Sequence, residues 1–174
     1  DASLKPETVV YARDEGQDLP IDIYRPAPAT AGKSSPIFIY IHGGGWGAET
    51  LKQRQSDFRW FATRGFLVMS FEYPLATETR PTWNVTHPLL GCALVWANAN
   101  AARYGGDPAR LALWGESAGG NLALNVSYMA NAGKLAATRR VWSPPAPASC
   151  RALPPPQRSI RWSIPSGCII IPIR

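Results

Sequence analysis

Leu111-Ala112-Leu113-Trp114-Gly115-Glu116-Ser117-Ala118-Gly119-Gly120 joins a short apolar run to a segment of helical character through a G-x-S-x-G turn. The run reads as a buried strand over 111–114, and the segment after it as a helix over about 117–131 with Gly133 as a stop signal. A serine at such a sharp strand-to-helix bend needs small neighbours, because its own backbone is strained and glycine permits the strand and the helix to approach closely. Its hydroxyl is then exposed at the end of a strand, as a nucleophile requires.

Working outward, Pro36-Ile37-Phe38-Ile39-Tyr40-Ile41 is a nearly continuous apolar run of the kind buried on both faces, and His42-Gly43-Gly44-Gly45-Trp46 follows at its carboxyl end. Residues 8–12 and 20–25 read as an opening antiparallel pair. Helix is expected over about 50–64, strand over 66–72 and helix over about 86–103. The alternation predicts an α/β sheet with crossover helices, whose chemistry gathers at the carboxyl ends of its strands. Both glycine-rich motifs obey that rule, and no internal repeat is visible.

The pair of motifs H-G-G-G-W and G-E-S-A-G-G resembles the α/β-hydrolase superfamily, in particular its esterase and lipase branch. The resemblance covers residues 8–135. It includes Arg64-Gly65-Phe66-Leu67-Val68-Met69-Ser70-Phe71-Glu72-Tyr73, where Glu72-Tyr73-Pro74 replaces the branch's usual Asp-Tyr-Arg, and the turn Tyr104-Gly105-Gly106-Asp107-Pro108 that leads into the nucleophile strand. It implies a mostly parallel sheet, Ser117 as nucleophile, and an oxyanion hole made by the backbone N–H groups of Gly44, Gly45 and Ala118. A small-molecule ester is the implied substrate, with no cofactor and no metal. The other reading of the same residues is a non-catalytic binding or interaction module that retains the elbow.

In this fold the triad runs serine, acid, histidine along the chain, yet residues 118–174 contain no Asp, Glu or His. The expectation is therefore a partial α/β-hydrolase fold, its C-terminal strands and helices missing, in a truncated chain with poor turnover. Residues 1–138 read as the N-terminal part of the hydrolase domain. Over that stretch 12 basic residues balance 12 acidic ones, while residues 139–174 carry 6 arginines and no acid, so the net charge of +6 belongs to the tail alone. The tail also holds 8 of the 17 prolines, which gives it the composition of another reading frame and predicts irregular structure. Its arginines are spread singly, so nucleic acid is not an expected partner. With strands missing, residues 111–114 are expected to form an exposed edge that Cys168-Ile169-Ile170-Ile171 patches over only a few residues, Pro165 and Pro172 limiting the pairing.

No run of 18 apolar residues is present, so no transmembrane helix is encoded. Cys92, Cys150 and Cys168 have no metal-like spacing, and their odd number argues against a disulfide framework. The two Asn-x-Ser/Thr triplets, at Asn84 and Asn125, read as chance matches. His42 is expected to brace its loop, His87 to lie at a helix start outside the reaction centre, and Asp107 to cap a turn. Glu116 is expected to act as a structural hydrogen-bonding group, and Trp46 either to shape an acyl pocket or to cover the core.

Overall fold

The computed structural model describes residues 4–27, 34–131 and 169–172. Strands β1 (Glu7–Asp14) and β2 (Gln17–Tyr24) form a hairpin whose turn uses left-handed backbone at Glu15 and Gly16. Then come β3 (Ser35–Ile41), α1 (Gln55–Thr63), β4 (Leu67–Phe71), α2 (Trp83–Asn100), β5 (Gly106–Gly115), α3 (Ala118–Asn131) and β6 (Ile169–Pro172). The sheet order is β1-β2-β4-β3-β5-β6. β4, β3 and β5 are parallel, joined by helical crossovers, whereas β1, β2 and β6 pair antiparallel on the flanks, so the sheet is mixed around a parallel centre.

Alternation along β3 explains why its sequence is apolar throughout. Ile37, Ile39 and Ile41 belong to the core beneath α2 and α3, with Leu67, Met69, Leu113, Leu90 and Leu122. Phe38 and Tyr40 point the other way, into an aromatic core beneath α1 with Tyr24, Phe58, Val68 and Trp114. A strand covered on both faces has no polar side to show. Burying such side chains contributes about 1.5–3 kcal/mol each, which makes β3 the axis of the fold.

Three boundaries differ from expectation. α2 starts at Trp83, a turn before His87-Pro88, because the Thr82 carbonyl accepts from the Val85 and Thr86 N–H groups at 3.0 and 2.9 Å. Pro88 then lies inside the helix, where it lacks the N–H that would reach back one turn. At its far end α2 passes into a 3₁₀ turn, Ala101–Tyr104, closed by Gly105 at φ 84°. β5 extends back to Gly106 through a register jump opposite Pro36 and Ile37. Asp107 caps the bend there, accepting from the Ala109 N–H at 3.0 Å and from Arg110 Nε at 2.8 Å. The Arg110 guanidinium holds the Asp107 carboxyl below its usual range.

The β5 edge is not bare. Residues 112–115 pair with Pro172 back to Ile169, a four-residue ladder that ends at the proline as its missing N–H requires. The rest of the expected tail, residues 139–168, and the stop at Gly133 lie outside the described residues. Among the described residues no helix is long and apolar enough to cross a membrane.

Candidate active site

β5 ends at Gly115 and α3 begins at Ala118, so two residues reverse the chain. Ser117 accomplishes this at φ 51°, in the left-handed region, at a cost on the order of 1–3 kcal/mol. Its surroundings impose that conformation. A Cβ on Gly119 would run into the carbonyl oxygens of Ile41 and His42, and one on Gly115 into the carbonyl of Gly119. Strand, turn and helix are thus closer than any side chain would allow. The Asn121 N–H donates to the Ser117 carbonyl at 3.1 Å, closing the first turn of α3.

Glu116 does not face the site as a free carboxylate. Arg54 grips it with two nitrogens, Nε on Oε1 at 3.1 Å and Nη2 on Oε2, while the Tyr40 hydroxyl donates to Oε1 at 3.1 Å. Hydrogen bonding from Arg54 keeps the Glu116 carboxyl below its usual range, against the opposing effect of burial, with Tyr40 adding to the lowering. Burial, reinforced by the neighbouring Glu116 charge, pushes the Tyr40 phenol well above its ordinary value. Sequence reasoning foresaw a structural role for Glu116. It did not find Tyr40 or Arg54, which lie 76 and 62 residues away in the chain.

The glycine-rich loop at the end of β3 is braced from below. His42 is fully buried, its ring stacked on Tyr73 with centroids 4.1 Å apart, its Nε2 2.8 Å from Glu72 Oε1 and its Nδ1 3.1 Å from the Gly43 carbonyl. The Tyr73 hydroxyl faces the His42 and Gly43 carbonyls at 2.9 and 2.8 Å. Glu72 also accepts from the Leu51 N–H at 3.3 Å. His42 therefore braces the loop, as expected, and the residues that hold it are Glu72 and Tyr73. The only sequence signal for them was the Glu-Tyr pair at the carboxyl end of β4. Above this base the Gly44 carbonyl accepts from Gly47 and Ala48 at 3.1 and 3.0 Å, and Gly44, Gly45, Trp46 and Glu49 all take positive φ.

Loop and elbow meet. A Cβ on Gly43 would lie 3.1 Å from the Glu116 carbonyl oxygen, and Gly119 abuts the chain at Ile41 and His42. The motifs that carry Gly44, Gly45, Ser117 and Ala118 are therefore in backbone contact at the carboxyl ends of β3 and β5. Trp46 is 42% exposed, and its carbonyl accepts from the Ala76 N–H at 2.8 Å. The Trp46 side chain lies on the surface, not over the core. Among the described residues, no hydrogen bond ends on the N–H of Gly44, Gly45 or Ala118.

His87 lies apart from this cluster. Its Nε2 is 3.4 Å from Asn125 Nδ2, on α3 eight residues past Ser117, about 12 Å along the helix axis. Thr86 and Ser127, the hydroxyl residues of the two Asn-x-Ser/Thr triplets, are buried. Among the described residues no group of three His, Cys, Asp or Glu could hold a metal ion.

This geometry agrees with what the chain is similar to. The family BD-FAE matches residues 21–145. Carboxylesterase NlhH of Mycobacterium tuberculosis is 33% identical over 138 residues, which cover 73% of this chain and 40% of that protein. Hormone-sensitive lipase of Mus musculus is 35% identical over 70% of this chain but only 15% of its own length. Among solved structures, a thermophilic esterase of Thermogutta terrifontis superposes with a TM-score of 0.63 at 28% identity, over 68% of this chain and 42% of that one. The chain thus spans about two fifths of NlhH and of the Thermogutta esterase, and less of the lipase.

Proposed function

This chain belongs to the BD-FAE family, within the esterase and lipase branch of the α/β-hydrolases, and from that premise we propose that it carries the nucleophilic half of a carboxylic ester hydrolase. Ser117 is the nucleophile. The N–H groups of Gly44, Gly45 and Ala118 form the oxyanion hole. The observation that supports the reading is the backbone contact of the two glycine-rich turns, Gly43 against the Glu116 carbonyl, with Ser117 in a left-handed bend in one turn and Gly44 and Gly45 in the other. Ala118 also opens α3, whose N-terminal dipole adds positive potential where the oxyanion develops.

In the reaction the Ser117 oxygen bonds to the carbonyl carbon while its proton passes to a base, and the carbonyl oxygen takes the negative charge against the three N–H groups. Collapse breaks the ester C–O bond and the alcohol leaves with that proton. Water then releases the acid by the same steps in reverse. The substrate is a small-molecule ester, and its acyl and alcohol groups are set by pocket walls that these motifs do not specify.

The proton acceptor is the weak point of this chain. Residues 118–174 hold no Asp, Glu or His, His42 is engaged on both ring nitrogens, and His87 meets Asn125, eight residues past Ser117. Residues 118–174 therefore supply neither the triad acid nor its base. Loss of triad members leaves about 10³- to 10⁴-fold acceleration over water, supplied by the oxyanion hole and binding alone, so turnover of p-nitrophenyl acetate is expected to be slow and to change little in Ser117→Ala. A fluorophosphonate probe should label the parent chain at Ser117 and leave the variant untouched. The absence of a base also favours a second reading, a module that binds esters without cleaving them. Saturable ester binding with neither labelling nor turnover would establish that reading and overturn the first.

A further inference from the structure

Left-handed serines do not hold themselves in place, and the close packing of Gly115 and Gly119 fixes the chain only on either side of the bend. The peptide between Glu116 and Ser117 has a further constraint. Glu116, one residue before the candidate nucleophile, is gripped through both carboxylate oxygens by Arg54 and through one of them by Tyr40. We infer that Arg54 and Tyr40 are positioning residues, which act through the Glu116 carboxylate to hold the Ser117 backbone in its left-handed conformation.

Each anchor is itself fixed by a different element. Tyr40 belongs to β3, and its ring packs 4.8 Å from Trp114 and 5.0 Å from Phe58, so its hydroxyl cannot swing away from Glu116. That hydroxyl also lies 3.2 Å from Gln53 Oε1 on the loop before α1, an acceptor that competes with Glu116 for its single proton. Arg54 stands at the N-terminal end of α1, where its carbonyl accepts the Phe58 N–H at 3.0 Å and its guanidinium makes a second ion pair, to Asp57 at 3.5 Å. A planar fork on a carboxylate sets orientation as well as distance, which a lysine cannot do. Two elements, β3 through Tyr40 and the N-terminal end of α1 through Arg54, therefore converge on one side chain, whose backbone carbonyl in turn abuts Gly43 of the glycine-rich loop. Glu116 links the geometry of the bend to that of the loop. An ordinary surface ion pair would do neither.

The consequence for reactivity rests on the function proposed above, whereas the positioning itself does not. The test takes the full chain and its variants Arg54→Met, Arg54→Lys and Tyr40→Phe. Hydrogen exchange reports on the amides of residues 116–121, including the Asn121 N–H that closes on Ser117. Fluorophosphonate labelling reports on the hydroxyl. Arg54→Met should speed exchange at these amides by up to about fivefold and slow labelling by a similar factor, while exchange in β1, β2 and β4 is unchanged. Arg54→Lys should restore less than half of the loss, and Tyr40→Phe should show the same pattern more weakly. If Arg54→Met does not fold, Tyr40→Phe decides alone. Exchange at 116–121 that matches the parent in the folded variants overturns the inference. A parent chain that exchanges as expected but never takes up the probe leaves the clamp standing and removes the nucleophile.

Discussion

The two glycine-rich turns that meet at the end of the sheet reach left-handed backbone by different means. At the elbow a single residue, Ser117, is forced to φ 51° between two positions where no Cβ fits, with α3 packed behind it. In the loop four residues take positive φ, at 84° for Gly44, 60° for Gly45, 62° for Trp46 and 67° for Glu49, and residues 45–50 are exposed. A Cβ on Gly45 would meet nothing within 4 Å. Packing on either side of the bend, with the grip on Glu116, sets the first conformation. In the loop, close packing acts only at Gly44, where a Cβ would collide with the Ala48 carbonyl; Gly45 uses glycine's own freedom, and a few hydrogen bonds, chiefly those of the Tyr73 hydroxyl and the Gly44 carbonyl, brace the rest, including the non-glycine Trp46 and Glu49.

Breaking each turn in the same way separates these accounts. Gly119→Ala places a methyl against two backbone carbonyls that cannot yield, so a loss of about 3 kcal/mol or more is expected in urea unfolding. A variant that unfolds with the parent protein would show that the close approach is not what shapes the elbow. Gly45→Ala meets only the cost of left-handed backbone, about 1–2 kcal/mol. Its effect should appear mainly as slower fluorophosphonate labelling, since the loop and not the core is disturbed. Equal losses in the two variants would erase the distinction.

The smallest effect concerns the link between the turns. Because the Glu116 carboxyl is held below its ordinary value of 4.5, its favourable contribution is complete above that pH and fades as pH falls through the lower folded value. Glu116→Gln should therefore be less stable than the parent at neutral pH and should converge with it as pH falls below the lowered folded value. Arg54 is 41% exposed and Glu116 30%, so solvent screening limits the neutral-pH difference to about 1 kcal/mol or less. A gap that widens in acid would contradict the assigned direction.

Much of the fold was legible because its signals are local. The apolar run of β3, the helix after Ser117, the Asp107 turn and the bracing role of His42 all follow from residues within a few positions of one another. Local pattern served less well where distant residues compete for the same group. The start of α2 went to Thr82 instead of the His87-Pro88 step, whereas the expected patch on the β5 edge is found, residues 112–115 pairing with 169–172 more than fifty positions away.

By itself the sequence determined the parallel centre of the sheet, the two glycine-rich turns at strand ends, and a serine whose neighbours suit a strained bend. Those depend on side-chain period and on glycine, which act within one or two turns of chain. Tertiary structure decided which groups hold the turns: Glu72 and Tyr73 under the loop, Arg54 and Tyr40 on Glu116, Ile41 and His42 against Gly119. The physical reason is that a hydrogen bond or a backbone contact selects its partner by position in space, and the order of strands β4-β3-β5 brings together residues that the chain keeps 30 to 78 positions apart.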